Sequence, residues 1–243
     1  MYTVTAKNAP ELHDRQPVYV VDMLAPAPTL DESLAVLGNA ISCDAKQSLF
    51  WEGDSAEYVY KVMRGVVCLY KLLPDGRRQV ARFCCAGDLL GLGQRTVYQY
   101  TADTVTPVTL LRVRRTDLET EVESNMPLRN ELLAVIGDEL RAAQDQLVLL
   151  GRKSAIERVA SFVDAMARQN KRQGDNALIV DLPMTRVDIA DYLGLTHETV
   201  CRAFSQLKAQ DVLNIYDHHL VEIRQPDTLM DIAAGGSAER LCA

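Results

Sequence analysis

Between residues 46 and 115, apolar and polar positions alternate in short runs at 58–63, 66–73, 79–84 and 108–113. Turn-forming clusters separate them: Glu52-Gly53-Asp54, Arg64-Gly65, Pro74-Asp75-Gly76 and Ala86-Gly87-Asp88. Pro presets φ at the first corner of a turn, and Gly takes the later positions that other residues resist. Short strands punctuated this regularly predict a small β-barrel or roll. Upstream, Pro10, Pro17, Pro26 and Pro28 fall in a stretch with little periodicity, which reads as an irregular extension. Leu30, Leu34 and Leu37 then predict a short helix.

The clearest periodic signal follows. Leu133, Ile136, Leu140, Ala143, Leu147 and Leu150 are spaced alternately three and four apart, with Asp138, Glu139, Arg141 and Asp145 lying off that line. This is an a/d seam, narrower than the face a helix turns to its own globular core, and it predicts a homodimer held by a two-stranded coiled coil. Gly151 interrupts the seam, and Ser154 caps a further helix running to about residue 170. A polar loop at 171–175 comes next.

From 181 onward the rhythm is strand, two helices, hairpin. Thr185 caps the first helix, with Asp188 three residues on as a capping-box variant, and Ile189, Ala190 and Leu193 form its inner face. Gly194 supplies the turn and Thr196 caps the second helix, whose inner face is Val200, Phe204 and Leu207. This is a helix-turn-helix. Leu213, Ile215, Leu220, Val221 and Ile223 form a hairpin around Asp217-His218-His219, read as a wing. The expected class is α+β, comprising an irregular extension at 1–30, a β-roll at 31–121, a dimerisation helix at 122–151, a winged helix-turn-helix at 152–224 and a tail at 225–243.

Composition changes little in this picture. The 243 residues are 48% hydrophobic and 24% charged, as in ordinary globular proteins. The longest run without a charge is eleven residues, at 33–43. A bilayer core needs about 20 apolar residues, so no membrane partner is expected and the cytoplasm is the default compartment. Charge bears on the partner more directly. Residues 1–150 carry 15 Lys and Arg against 20 Asp and Glu, whereas 151–224 carry 10 against 10. An acidic chain is an unusual phosphate binder, and the neutral module weakens that objection.

Packing the second helix on Val200, Phe204 and Leu207 turns His197, Glu198, Cys201, Arg202 and Ser205 outward, with Thr199 beside them. Arg forks onto guanine O6/N7 and Glu accepts from cytosine N4, so Glu198 and Arg202 are the expected base readers of double-stranded DNA. The stretch 184–211 resembles the signature of the CRP/FNR family of transcription regulators, with Thr185-Arg186, Asp188-Ile189-Ala190, Gly194-Leu195-Thr196 and Glu198-Thr199-Val200 followed by Arg202. The front half is similar through Gly65-Val66-Val67, Asp75-Gly76-Arg77, Gln79-Val80 and 87–91, and 83–93 with 100–103 resembles the FixK-type branch. The resemblance spans roughly 31–224. It implies a cyclic-nucleotide-binding-like roll, a dimer that places two recognition helices in successive major grooves of a palindrome, and RNA polymerase as a partner. It further implies activation of low-oxygen metabolism genes and an FNR-like site, TTGAT-N4-ATCAA, since His197 replaces the Arg of CRP itself.

Members of this family differ in what the roll senses. A cyclic-nucleotide pocket needs an acidic residue for the ribose and an Arg-Ser pair for the phosphate. Asp88 matches the first, but the aligned pair falls near 96–98 with Arg95-Thr96 only nearby, so cyclic-nucleotide gating is the alternative reading. An iron–sulfur cluster of the FNR type needs thiolates near the N-terminus, and the first 42 residues have no Cys. The histidines are only 13, 197, 218 and 219, none in the roll, and adjacent Cys84 and Cys85 point to opposite faces of a strand, so no haem or metal is expected. No catalytic constellation stands out, and no enzyme is inferred. DNA binding without a small effector is the expectation. Cys201, early in the recognition helix beside Arg202, is the expected redox-regulatory thiol.

Overall fold

The computed structural model describes residues 29–93, 96–172, 178–217 and 219–236. The extension expected at 1–30 falls almost wholly outside them, as do Arg95, His218 and Cys242. Helix α1 (Leu30–Leu37) opens on a complete capping box between Thr29 and Glu32. Eight strands follow: β1 (Asn39–Cys43), β2 (Ser48–Phe50), β3 (Tyr58–Arg64), β4 (Val67–Leu72), β5 (Arg78–Cys84), β6 (Leu89–Leu90), β7 (Thr101–Thr104) and β8 (Val108–Arg114). They pair antiparallel into two four-stranded sheets, ordered β1-β8-β3-β6 and β2-β7-β4-β5. Phe50, Val67, Cys84 and Ala102 of one sheet and Tyr60, Val62, Leu90, Val108 and Leu110 of the other share one buried cluster, as the two inner faces of a roll must. Phe50 stacks on Tyr98 with ring centroids 3.7 Å apart, filling its interior. Gly65 joins β3 to β4 at φ +88°, where a Cβ would run into the Pro107 carbonyl.

Two helices, not one, follow the roll. Helix α2 (Arg115–Ser124) stops at Asn125, whose side chain accepts from the Leu128 amide and starts α3 (Met126–Arg152). The dimerisation helix expected from 122 therefore begins four residues later, because Asn125 caps and Pro127 is tolerated only in a first turn. Along α3, Leu133, Ile136, Leu140 and Leu147 are 42–71% exposed, and Ala143 is exposed with them. Leu150 instead turns inward against the C-terminal core.

That core is built by α4 (Ala155–Arg172), β9 (Ile179–Asp181), α5 (Arg186–Leu193), α6 (His197–Ala209), β10 (Leu213–Ile215), β11 (Leu220–Ile223) and α7 (Pro226–Ala233), with the strands ordered β10-β11-β9. Helix α7 corrects the expected tail at 225–243. Leu229, Ile232 and Ala233 are spaced three and four apart, all three are buried, and the Ala233 carbonyl accepts from Ser161 of α4. The C-terminal cluster does not end at the module. Cys68, Val80 and Phe83 of the roll belong to it, and Phe83 packs against Phe162 and Tyr192 with ring centroids 6.1 and 5.5 Å away.

Candidate nucleic-acid interface

The site rests on two capped helices and a left-handed turn. Thr185 accepts from the Asp188 amide while Asp188 accepts from the Thr185 amide, closing the box that starts α5. Gly194 ends α5 at φ 60° and ψ 40°, a conformation that side chains with a Cβ resist. Thr196 then caps α6 by accepting from the Thr199 amide at 3.2 Å. Val200, Ala203, Phe204 and Leu207 are buried beneath α6, as two helices sharing one core require.

The opposite face carries the expected residues. His197, Glu198, Arg202 and Ser205 are exposed, and Cys201 is half-buried between them. Among the described residues neither Glu198 nor Arg202 has a hydrogen-bond or ion-pair partner, so a guanidinium fork and a carboxylate stand one turn apart with their bonding capacity free. Thr199 is placed differently. It is half-buried, its hydroxyl lies 2.9 Å from that of Thr196, and it belongs to the cap. The Ser205 hydroxyl donates to the Cys201 carbonyl at 3.0 Å, which leaves its oxygen to accept. Cys201 Sγ lies 3.6 Å from His197 Nε2, so the thiol has an imidazole within sulfur hydrogen-bonding distance.

One residue of the site was quoted only as part of a motif. Arg186 lies with its guanidinium 3.6 Å from the centroid of the Phe204 ring, beneath α6. Its Nη1 is buried without a hydrogen-bond partner among the described residues. Burial lowers the Arg186 pKa, and the nearby Cys201 opposes that shift. An Arg three residues before an apolar face signals its own exposure as readily as a stack, and only the packing decides. The hairpin β10–β11 flanks the helices, with Tyr216 exposed near its turn and its hydroxyl donating to Glu222 at 2.7 Å.

In the roll, Asp88 has both carboxylate oxygens engaged. One accepts from Arg82 at 2.7 Å and the other from the Cys85 amide at 2.8 Å. Arg82 also reaches Glu139 of α3 at 2.8 Å. The residue matched to a ribose contact thus closes a turn and ties the roll to the long helix.

Two family models match the chain: a Crp-like helix-turn-helix domain over residues 157–232 and a cyclic nucleotide-binding domain over 40–125. Among similar proteins, the transcriptional activatory protein AadR of Rhodopseudomonas palustris is 38% identical over 188 residues, 77% of this chain and 79% of its own. The nitrogen fixation regulation protein FixK of Azorhizobium caulinodans is 38% identical over 197 residues, 81% of this chain and 79% of its own. The solved structure of FixK2 from Bradyrhizobium japonicum superposes with a TM-score of 0.76 at 38% identity, covering 80% of this chain and 96% of that one.

Proposed function

The chain belongs to the CRP/FNR family of transcription regulators, and from that premise we propose that it acts as a homodimer on a palindromic promoter site without needing a small effector. It is a DNA-binding transcriptional activator of the FixK/FNR type. The observation that carries the finer reading is the free pair Glu198 and Arg202, presented outward by a capped helix whose other face is buried. Arg202 forks to guanine and Glu198 accepts from cytosine, with His197, Thr199, Cys201 and Ser205 alongside, on a half-site of the form TTGAT. Two copies pair through the exposed Leu133, Ile136, Leu140, Ala143 and Leu147, with Leu150 at the end of the seam. Such spacing of two recognition helices matches a palindrome, and recruitment of RNA polymerase to low-oxygen metabolism genes in the cytoplasm follows from the branch. Independence from a nucleotide is supported by Asp88, whose oxygens are already satisfied inside the protein.

Cys201 supplies the control point. A peroxide oxygen accepts the thiolate lone pair, forming sulfenic acid and releasing water, and places a bulkier polar group on the face that meets DNA. Cys201→Ser is expected to bind DNA as the native chain does while losing sensitivity to peroxide; equal inhibition of the Ser variant would remove this role. The proposal as a whole is tested by fluorescence anisotropy on a TTGAT-N4-ATCAA duplex at one fixed salt concentration, with reduced protein and nothing added. Selective binding over a scrambled duplex is expected. Selectivity that appears only with cyclic AMP would overturn effector independence.

A further inference from the structure

The roll and the helix-turn-helix touch through more than apolar surface. Arg78, on β5, donates from Nε to Asp191 at 2.9 Å and from Nη2 to Asp188. The two carboxylates lie three residues apart on one face of α5, so a single planar fork spans both. Next to it, the Gln79 side chain donates to the Asp191 carbonyl at 2.7 Å. The guanidinium is positioned from behind as well. It lies 5.1 Å from the centroid of the Tyr70 ring, and the Tyr70 hydroxyl is fixed by donating to Asp103 at 2.9 Å. Asp188 is also the residue that closes the capping box of α5, through Thr185. One side chain of the roll is therefore joined directly to the start of the helix-turn-helix.

From the other side α5 is held by the long helix. Gln146 of α3 donates to the Tyr192 carbonyl at 3.0 Å. Arg158 gathers the Leu150, Lys153 and Leu193 carbonyls, at 2.8–2.9 Å. Apolar contact such as that of Phe83 on Tyr192 holds two bodies together but is non-directional, whereas a forked ion pair admits one rotation.

We infer that Arg78 is a positioning residue for DNA recognition: its fork to Asp188 and Asp191 fixes the angle at which each recognition helix leaves the dimer, and so sets the half-site spacing. This rests on the reading of α6 as a base-reading helix. The clasp is complete within the chain, so the roll itself holds the pose that a bound effector would otherwise have to select. Arg78 touches no base. Its effect is confined to how two recognition helices reach one duplex at once.

The test uses the full chain as native protein, Arg78→Gln and Arg78→Lys. Anisotropy is measured on palindromes of TTGAT half-sites separated by about three to six base pairs, on a single half-site duplex and on a scrambled duplex. Native protein is expected to prefer one spacing. Arg78→Gln should weaken binding to that palindrome by about tenfold, leave the single half-site within about twofold, and flatten the preference among spacings. Arg78→Lys, a point charge able to reach one carboxylate, should recover part of the preference. A merely structural role would lower affinity for every duplex alike, together with the melting temperature, and that result overturns the inference. So does an Arg78→Gln variant that keeps the native affinity and spacing preference. Native protein that prefers no palindrome over the scrambled duplex overturns the reading of α6 itself, a distinct failure visible before any variant is made.

Discussion

Arg202 is the residue on which recognition turns. Loss of a forked base contact costs about 1–3 kcal/mol, so Arg202→Ala should weaken binding to the specific duplex by that amount per half-site while scrambled DNA is bound as before. Anisotropy on both duplexes checks this, and an unchanged specific affinity would remove Arg202 from the readout. The cysteines give a second expectation at this scale. Burial pushes the Cys68 and Cys85 thiols up to about 12, with Arg78 opposing it at Cys68, and burial likewise raises the Cys84 thiol well above the ordinary range. Cys43 and Cys201 are half-buried. At pH 8, iodoacetamide should label Cys201 and Cys43 in native protein and spare Cys68, Cys84 and Cys85, as peptide mass mapping would read. The outward face of α6 was legible in advance because Val200, Phe204 and Leu207 define its inner side by spacing alone. The stack of Arg186 on Phe204 was not, since its partner lies on another helix.

The elements were mostly readable from alternation and turn chemistry. Strands expected at 58–63, 79–84 and 108–113 are found at Tyr58–Arg64, Arg78–Cys84 and Val108–Arg114. Two boundaries were not readable. The break at Asn125 is a cap inside a helical pattern, and α7 has only three inward positions, too few to stand out beside the small residues that follow. For α3 the exposed leucines carry a sharp expectation. Leu140 is 60% exposed in one chain, so Leu140→Glu should leave the monomer fold unchanged and place like charges across the proposed seam. Sedimentation should then show monomers, and a surviving dimer would locate the interface elsewhere.

Across the whole molecule, the contact between β5 and α5 joins residues about 110 positions apart, and no local pattern announces it. Acid should reveal it. Burial alone would raise the Asp188 carboxyl, but hydrogen bonds from Thr185 and Arg78 hold it below the usual carboxylate range. A depressed native pKa stabilises above the unfolded value of about 3.9, and that stabilisation is lost as pH falls through the native value. The native protein should therefore keep its melting temperature from neutral pH down to about 5 and lose it progressively below about 4. Asp188→Asn, which has no proton to gain there, should show a shallower acid decline, and an identical decline would show that the stabilisation lies elsewhere.

The shared packing of Phe83, Phe162 and Tyr192 constrains how such chains can be recombined. A reading head transplanted from a relative would arrive with its own recognition helix, but it would sit correctly only if its α5 offered an aromatic ring to Phe83 and a carboxylate pair to Arg78. The two halves inherit their specificity separately and their geometry jointly, so productive chimeras are those cut within the roll ahead of β4, not at the hinge after α3.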